Sequence, residues 1–397
     1  MKKNFLSIIF IFSTIIADAQ TWTPKQNFGG AARRSAMAFS IGNKGYVGMG
    51  YSGAFYKDLW EYDQSANTWT QKADFIGTAR FAGVAFVVSG KGYVGTGYDL
   101  NNVFNTKDFY AYDPATNSWV QVASMPVARR YACAFAIHDK GYVGTGVGDL
   151  GYLKDFWEYN PTTNAWTQKT DFPGAARYED VAFTIGSYGY IGVGSYANIL
   201  YSDFYQYNPD DDTWSQIADC PATGKDAASG FAIKNKGYVV SGSNQQPNGW
   251  YNDFWEWDQQ SNTWTELVNF SGAPRAFGSG ISIGGKGYVG LGEAVSYYKD
   301  WWEFCPDSCL TTFIENLFNE NVIRVSTLNA DEILFNSSLP QNAIVKVFDV
   351  KGNVLLTAIL KPGENKLAAR TLVSGIYFYE VKGSGVGVWR GKVVILH

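Results

Sequence analysis

Residues 129–169 read RRYACAFAIHDKGYVGTGVGDLGYLKDFWEYNPTTNAWTQK. Four short runs in this stretch, YACAFAI, GYVGTG, DFWEYN and AWTQK, alternate aromatic or β-branched residues with small or polar ones. Turn-forming stretches separate them: HDK, the GDLGYLK loop and PTTN. Such runs, bounded by Gly, Pro, Asn and Asp, predict strands joined by turns. Nearly the same unit recurs along the chain with a period of about 48 residues. A four-stranded unit at that period predicts one blade of a β-propeller.

The markers of the unit stay in register. A basic residue opens the first strand at Arg33, Arg80, Arg129, Arg177, Lys225 and Arg275. Twelve residues after each comes the glycine that opens the second strand: Gly45, Gly92, Gly141, Gly189, Gly237 and Gly287. An aspartate opens the third at Asp58, Asp108, Asp155, Asp203, Asp253 and Asp300. Six copies of each marker predict an all-β, six-bladed propeller. The fourth-strand tryptophans are Trp22, Trp69, Trp119, Trp166, Trp214 and Trp264, and the first of them precedes every other marker. The segment TWTPKQNF is therefore expected to supply the outer strand of the last blade, which removes an open sheet edge. On this reading the propeller occupies residues 20–309.

The ends are read differently. Residues 1–19 carry Lys2 and Lys3, an apolar run from Phe5 to Ile16, and Ala17-Asp18-Ala19, the pattern of a secretory signal peptide. No other stretch is apolar enough for a transmembrane segment. Residues 310–320 read as a linker, with a short helical turn. Residues 321–397 contain some seven short alternating strands, which predict a small β-sandwich.

Composition sets limits on function. The chain has 397 residues, 17% of them aromatic and 17% charged, with 43 glycines, which excludes disorder. A net charge of −4 leaves no electrostatic footprint for nucleic acid. Four cysteines do not make a disulfide scaffold. Cys305 and Cys309 flank a Pro-Asp turn and are a disulfide candidate, whereas Cys133 and Cys220 read as small buried or free thiols.

The markers resemble the kelch repeat, over residues 21 to about 305: Arg at the first strand, a Gly-rich second strand, Tyr62-Asp63 and Tyr112-Asp113, and Asn67-Thr68-Trp69. Two departures stand out. The glycines are spaced G-x-G, and the residue after the Arg is mostly Ala or Gly instead of polar. The tail motifs VFDVKGNVL, LVSGIYFYEVKG and GKVVI resemble the C-terminal sorting domain of type IX secretion in Bacteroidetes-type bacteria. The matching positions are Asp349, Gly352, Ser374, Gly375, Tyr377 and Lys392, and the usual Tyr-Pro-Asn-Pro opening is absent. The resemblance implies export across the outer membrane through the secretion machinery, release or surface attachment, and removal of the tail.

Chemistry is sparse. The two histidines, His138 and His397, cannot meet in the propeller. The copper radical oxidases built on kelch-like blades need two histidines at one metal, so that activity is excluded, and no cofactor or metal is expected. There is no Ser-His-Asp arrangement, HExxH motif, phosphate loop or sialidase Asp-box. Repeat symmetry first explains the six basic residues, which are expected to pair with carboxylates or carbonyls, and the six aspartates read as backbone-capping groups. The run Asp210-Asp211-Asp212 reads as a solvated turn.

Strand parity puts the start of strand one and the loop between strands two and three on the same face. The candidate ligand-binding residues are accordingly the ring Arg33, Arg80, Arg129, Arg177, Lys225 and Arg275 together with loop aromatics Tyr98, Tyr152, Tyr201, Trp250 and Tyr298. Rigid aromatics among Asn, Gln and Gly suit glycans or exposed polypeptide. Irregular charges share that face: Arg34, Arg130, Glu179, Asp180 and Asp226. The adjacent Glu179 and Asp180 are the weak catalytic candidates, in a carbohydrate-active alternative resembling sialidases or sialic-acid epimerases. The favoured reading is a secreted or surface-attached binding protein for a glycan or protein.

Overall fold

A computed structural model describes residues 21–99, 104–306 and, in the tail, 323–329, 332–337, 342–349, 353–368, 370–372, 375–383 and 386–395. The signal-like segment, the linker expected at 310–320, Cys309, Gly352, Ser374 and His397 lie outside the described residues. The chain divides into two compact units between Asp307 and Ser308. Neither contains, among the described residues, a helix long and apolar enough to cross a membrane.

The first unit is built from four-stranded antiparallel sheets, one per repeat. In the quoted stretch they are Cys133–Ile137, Lys140–Gly144, Phe156–Asn160 and Ala165–Lys169, paired in chain order. Six such sheets occur between residues 21 and 305. Their first strands neighbour one another in sequence order, and Ser279–Ile283 lies beside Met37–Ile41 to complete the circle. The sheet that begins at Ser279 takes its fourth strand from Thr21–Pro24, with Trp22 opposite Phe304.

Alternation along the first strand decides what meets what. Cys133, Phe135 and Ile137 are buried, while Ala134 and Ala136 face the centre. The central channel is lined by Ala38, Ala85, Ala134, Ala182, Gly230 and Gly280, because six converging strands leave room only for small side chains. The second-strand glycines answer to the neighbouring sheet. A Cβ on Gly141 would stand 2.1 Å from Phe86 Cε2 of the preceding sheet. Glycine is required there by close approach, not by its φ.

The Asn-x-Trp signature cross-links the sheets. Asn117, at φ 50°, accepts from Ala73 N–H at 2.9 Å and from Tyr112 Oη at 2.9 Å. The indole of Trp119 returns a hydrogen bond to the Ala73 carbonyl at 3.0 Å. Asn67, Asn164 and Asn262 do the same work beside Trp69, Trp166 and Trp264. At the fourth sheet Asp212 takes the asparagine's part, accepting from Thr170 N–H at 3.0 Å and Tyr207 Oη at 2.7 Å. Trp22 has no such link. Its indole N–H is buried without a partner, and it is held by packing on Phe254, Phe270 and Phe304. Cys133 and Cys220 are free and buried, and Cys305 is disulfide-bonded.

Among the described residues, the second unit forms two antiparallel sheets. Ile323–Asn329, Glu332–Ser337 and Gly363–Ala368 form one; Val354–Leu360, Ala343–Phe348, Gly375–Gly383 and Val386–Ile395 form the other. Ile333, Phe335, Val345, Val347, Tyr379 and Val381 share a buried core.

Candidate functional site

The repeated cations do not face a ligand. Arg33, Arg80, Arg129, Arg177, Lys225 and Arg275 all have 0% exposed surface. Each reaches the aspartate at the start of its own third strand. Arg177 meets Asp203 through two hydrogen bonds, 2.6 and 2.9 Å, and donates a third to the Val193 carbonyl at 3.0 Å. Arg33–Asp58, Arg80–Asp108 and Arg275–Asp300 repeat the bidentate pairing; Arg129–Asp155 is single, and Lys225 lies 2.5 Å from Asp253. Bidentate Arg–carboxylate pairs are strong and directional. The pairing with carboxylates expected from repeat symmetry is present; the cations offered as a ligand-binding ring are instead sealed within their sheets, and the aspartates expected to cap backbone bind them. Burial works against both charges. At Asp108 it is outweighed by the hydrogen bonds and charge of Arg80, so its carboxyl lies below the usual range. At Lys225 burial prevails over Asp253 and the ammonium pKa is lowered.

The next residues build the mouth. The first after each cation pairs with the loop between strands two and three, as in Arg34 with Tyr51, Arg130 with Val147, Tyr178 with Ser195 and Asp226 with Ser243. The second after each cation is Ser35, Ala82, Tyr131, Glu179, Ala227 or Phe277, all at φ between 49° and 59°. Non-glycine residues adopt this left-handed conformation at a cost of about 1–2 kcal/mol each. A closed cycle of backbone hydrogen bonds offsets it. Ser35 N–H donates to Phe277, Phe277 to Ala227, Ala227 to Glu179, Glu179 to Tyr131, Tyr131 to Ala82, and Ala82 to Ser35, at 2.8–3.1 Å. The cycle uses up these amides and carbonyls, so side chains alone specify the mouth. They border a cavity of about 120 Å³ with Asp180 and small residues beneath.

Charged side chains break the repeat here. Glu179 is half-buried; burial, and then the charge and hydrogen bond of Asp226, raise its pKa well above normal against the pull of Arg34 and Arg130. Asp180 turns to the preceding sheet, accepts from Thr145 Oγ1 at 3.1 Å, and is pushed up to about 7 by burial. Its Oδ2 has no hydrogen-bond partner. Glu179 and Asp180 therefore adjoin one cavity but engage different neighbours. Arg34 pairs with Glu293 at 2.5 Å. Arg130 stacks on Tyr98, 5.2 Å from the ring centre, and donates to Asn105 Oδ1 at 2.8 Å.

The loop aromatics divide into two groups. Tyr201 and Tyr298 cover the buried Arg177 and Arg275, at 4.2 and 4.5 Å from the ring centres, and so serve the bolts. Trp250 is half-buried and bridged to Ser243. Tyr98 backs Arg130, and Tyr152 is exposed, packed on Tyr178 and Tyr196 at 5.3 and 4.7 Å. The sequence reading missed Phe81, Tyr131, Tyr178 and Phe277, which wall the mouth. It also missed the exposed loop tips Phe104, Leu150, Ile199 and Val295. The signal was available: these are positions, one or two past the cation or in the loops, where the repeats disagree.

His138 lies on an exposed turn, 3.3 Å from Ser187. No cluster of three metal-ligating side chains occurs among the described residues.

Comparison with known proteins bears on the architecture. The family model of the KLHDC2/KLHL20/DRC7 kelch-repeats domain matches residues 72–224. No curated protein matches the chain in sequence. The solved structure of YjhT superposes with a TM-score of 0.62 at 16% identity, covering 69% of this chain and 95% of that one. That likeness concerns the fold alone. Together the two likenesses support a β-propeller fold for the first unit, with kelch-type repeats matched over residues 72–224.

Proposed function

We infer that this is an exported binding protein: a six-bladed kelch propeller that holds an exposed polypeptide or glycan on its loop-bearing face, followed by a β-sandwich sorting domain that routes it through type IX secretion to the surface or medium. One observation carries the binding reading. The repeated cations are sealed inside the sheets, whereas the residues that border the mouth and fill its loops differ from repeat to repeat. Polypeptide is favoured over glycan because Phe104, Leu150, Ile199 and Val295 expose apolar tips there. Exposed apolar residues rimmed by polar ones suit protein contact.

A photo-crosslinking residue at Tyr152 should capture the ligand on the producing cell, and one at Thr116, on the opposite turn face, should not. Equal capture from both positions would count against the mouth. A glycan array on the purified chain separates the two ligand classes. The carbohydrate-active alternative has the raised Glu179 and Asp180 carboxyls in its favour. A turnover screen on sialosides and common polysaccharides tests it, with Asp180→Asn as the expected loss of activity. Export is tested by deleting residues 321–397, which should leave a folded propeller in the periplasm.

A further inference from the structure

The mouth leaves an anion few donors. The amides of Ser35, Ala82, Tyr131, Glu179, Ala227 and Phe277 are all consumed in the backbone cycle. Arg34 is held by Glu293 at 2.5 Å, and Arg130 by Asn105 Oδ1 at 2.8 Å and the face of Tyr98. Carboxyl groups are in surplus. Glu179 and Asp180 border one cavity with Tyr131 and Phe277, and neither forms an ion pair among the described residues. Arg177, whose charge acts on Asp180, is spent on Asp203. Asp180 Oδ2 is sealed from solvent and has no hydrogen-bond partner.

A carboxyl enclosed without a counter-charge either keeps its proton or takes up a cation. Here the surroundings suit a cation. The Tyr131 and Phe277 rings stand 5.8 Å apart on the cavity wall, and aromatic faces attract ammonium groups. From Tyr131 the rings of Tyr178, Tyr152 and Tyr196 continue toward the rim at spacings of 6.2, 5.3 and 4.7 Å. They end in the two hairpin loops whose tips expose Leu150 and Ile199. An apolar rim thus leads, ring by ring, to the two acids of the mouth.

We propose that the mouth receives a lysine side chain of the polypeptide partner, its ammonium lying between Tyr131 and Phe277 against Glu179, with Asp180 beneath, while apolar neighbours of that lysine rest on Leu150 and Ile199. This assignment rests on the reading of the mouth as a polypeptide site. The small side chains Ala82 and Ala227 at the cavity leave room for the lysine stem. A compact ammonium with three rotatable donors can serve two carboxyls that face different neighbours, whereas the rigid fork of arginine matches a single coplanar carboxylate. Burial raises the pKa of both carboxyls, that of Asp180 to about 7, so near neutral pH the incoming charge displaces protons.

Random end-blocked peptides selected on the full chain test this, since blocking keeps terminal amines out of the comparison. Wild type should enrich lysine beside apolar residues. Calorimetry with an enriched peptide at about pH 7, in phosphate and in Tris, should show proton release on binding. Acetylating its lysine should weaken binding about tenfold and abolish the release. Glu179→Gln should weaken the lysine peptide about tenfold and leave the acetylated one unchanged, whereas Leu150→Asp should weaken both alike. Enrichment of acidic, arginine or charge-free peptides, or binding indifferent to acetylation, overturns the lysine and keeps the polypeptide site. No enrichment at all overturns both.

Discussion

The Arg177 guanidinium and the Asp203 carboxylate face each other through two hydrogen bonds, at 2.6 and 2.9 Å, and the arginine has no exposed surface. They are 26 residues apart in the chain and span the first and third strands of one sheet. Removing one partner leaves the other buried and uncompensated. Asp203→Ala should therefore cost about 3–5 kcal/mol, whereas replacing both partners by apolar residues of similar volume should cost much less. Urea unfolding of the single and double variants checks this. Equal losses from the single and double variants would show that the pair is not the source of the cost.

Asp180 makes the stability of the propeller depend on pH. Its ordinary pKa of 3.8 rises to about 7 in the fold because burial disfavours the charge. Between those values the native state holds a proton that the unfolded chain has lost, so stability falls as pH rises from about 4 to about 7 and stays low above. Asp180→Asn should remove this fall, gaining up to about 4 kcal/mol over wild type at pH 8 and almost nothing near pH 4. Denaturant melts across pH measure it. A gain that is the same at both ends would place the effect elsewhere.

Gly141→Ala should destabilise the third sheet's contact with the second. The new methyl would stand 2.1 Å from the Phe86 ring, held between packed sheets. Overpacking of this kind costs about 1–3 kcal/mol. The Phe86→Leu background should shrink that penalty, since the ring is what the methyl meets, and a double-mutant cycle on thermal melts reports the coupling.

Deleting residues 21–24 should weaken the whole propeller and cause association. Thr21–Pro24 pairs with Trp301–Cys305, and without it that strand presents free N–H and C=O groups. The Trp22 junction also lacks the indole-to-carbonyl link found at Trp119. The expected readouts are a lower melting temperature and a concentration-dependent increase in size by light scattering. A deletion variant that melts like wild type and stays monomeric would be inconsistent with this.

The chemistry of the mouth should separate from stability. Leu150→Asp changes a side chain that touches solvent only, so its melting temperature should stay within about 1 °C of wild type. Binding of the captured ligand should weaken tenfold or more if the apolar tips form the contact. Trp119→Ala should do the reverse, because that indole is packed between sheets and bonded to Ala73. Titration calorimetry beside thermal melts distinguishes them.

Local sequence determined the repeat and its strands. Alternation in CAFAI, glycine in KGYVG and asparagine before Trp166 recur at fixed spacings, and that spacing carries the kelch-repeat reading, although the glycine and the asparagine do their work against the preceding sheet. What each polar side chain does depends on partners that sequence does not put nearby. Arg129 and Arg130 are adjacent and chemically identical, yet one is sealed against Asp155 while the other opens onto the mouth over Tyr98. Strand direction and the 26 residues to Asp155 decide that difference. Glu179 and Asp226 come from successive repeats, and only the backbone cycle of the mouth, through Ala227 N–H to the Glu179 carbonyl at 3.0 Å, sets them at neighbouring places. Burial then raises the Glu179 pKa, a property of enclosure that neither residue possesses in the unfolded chain.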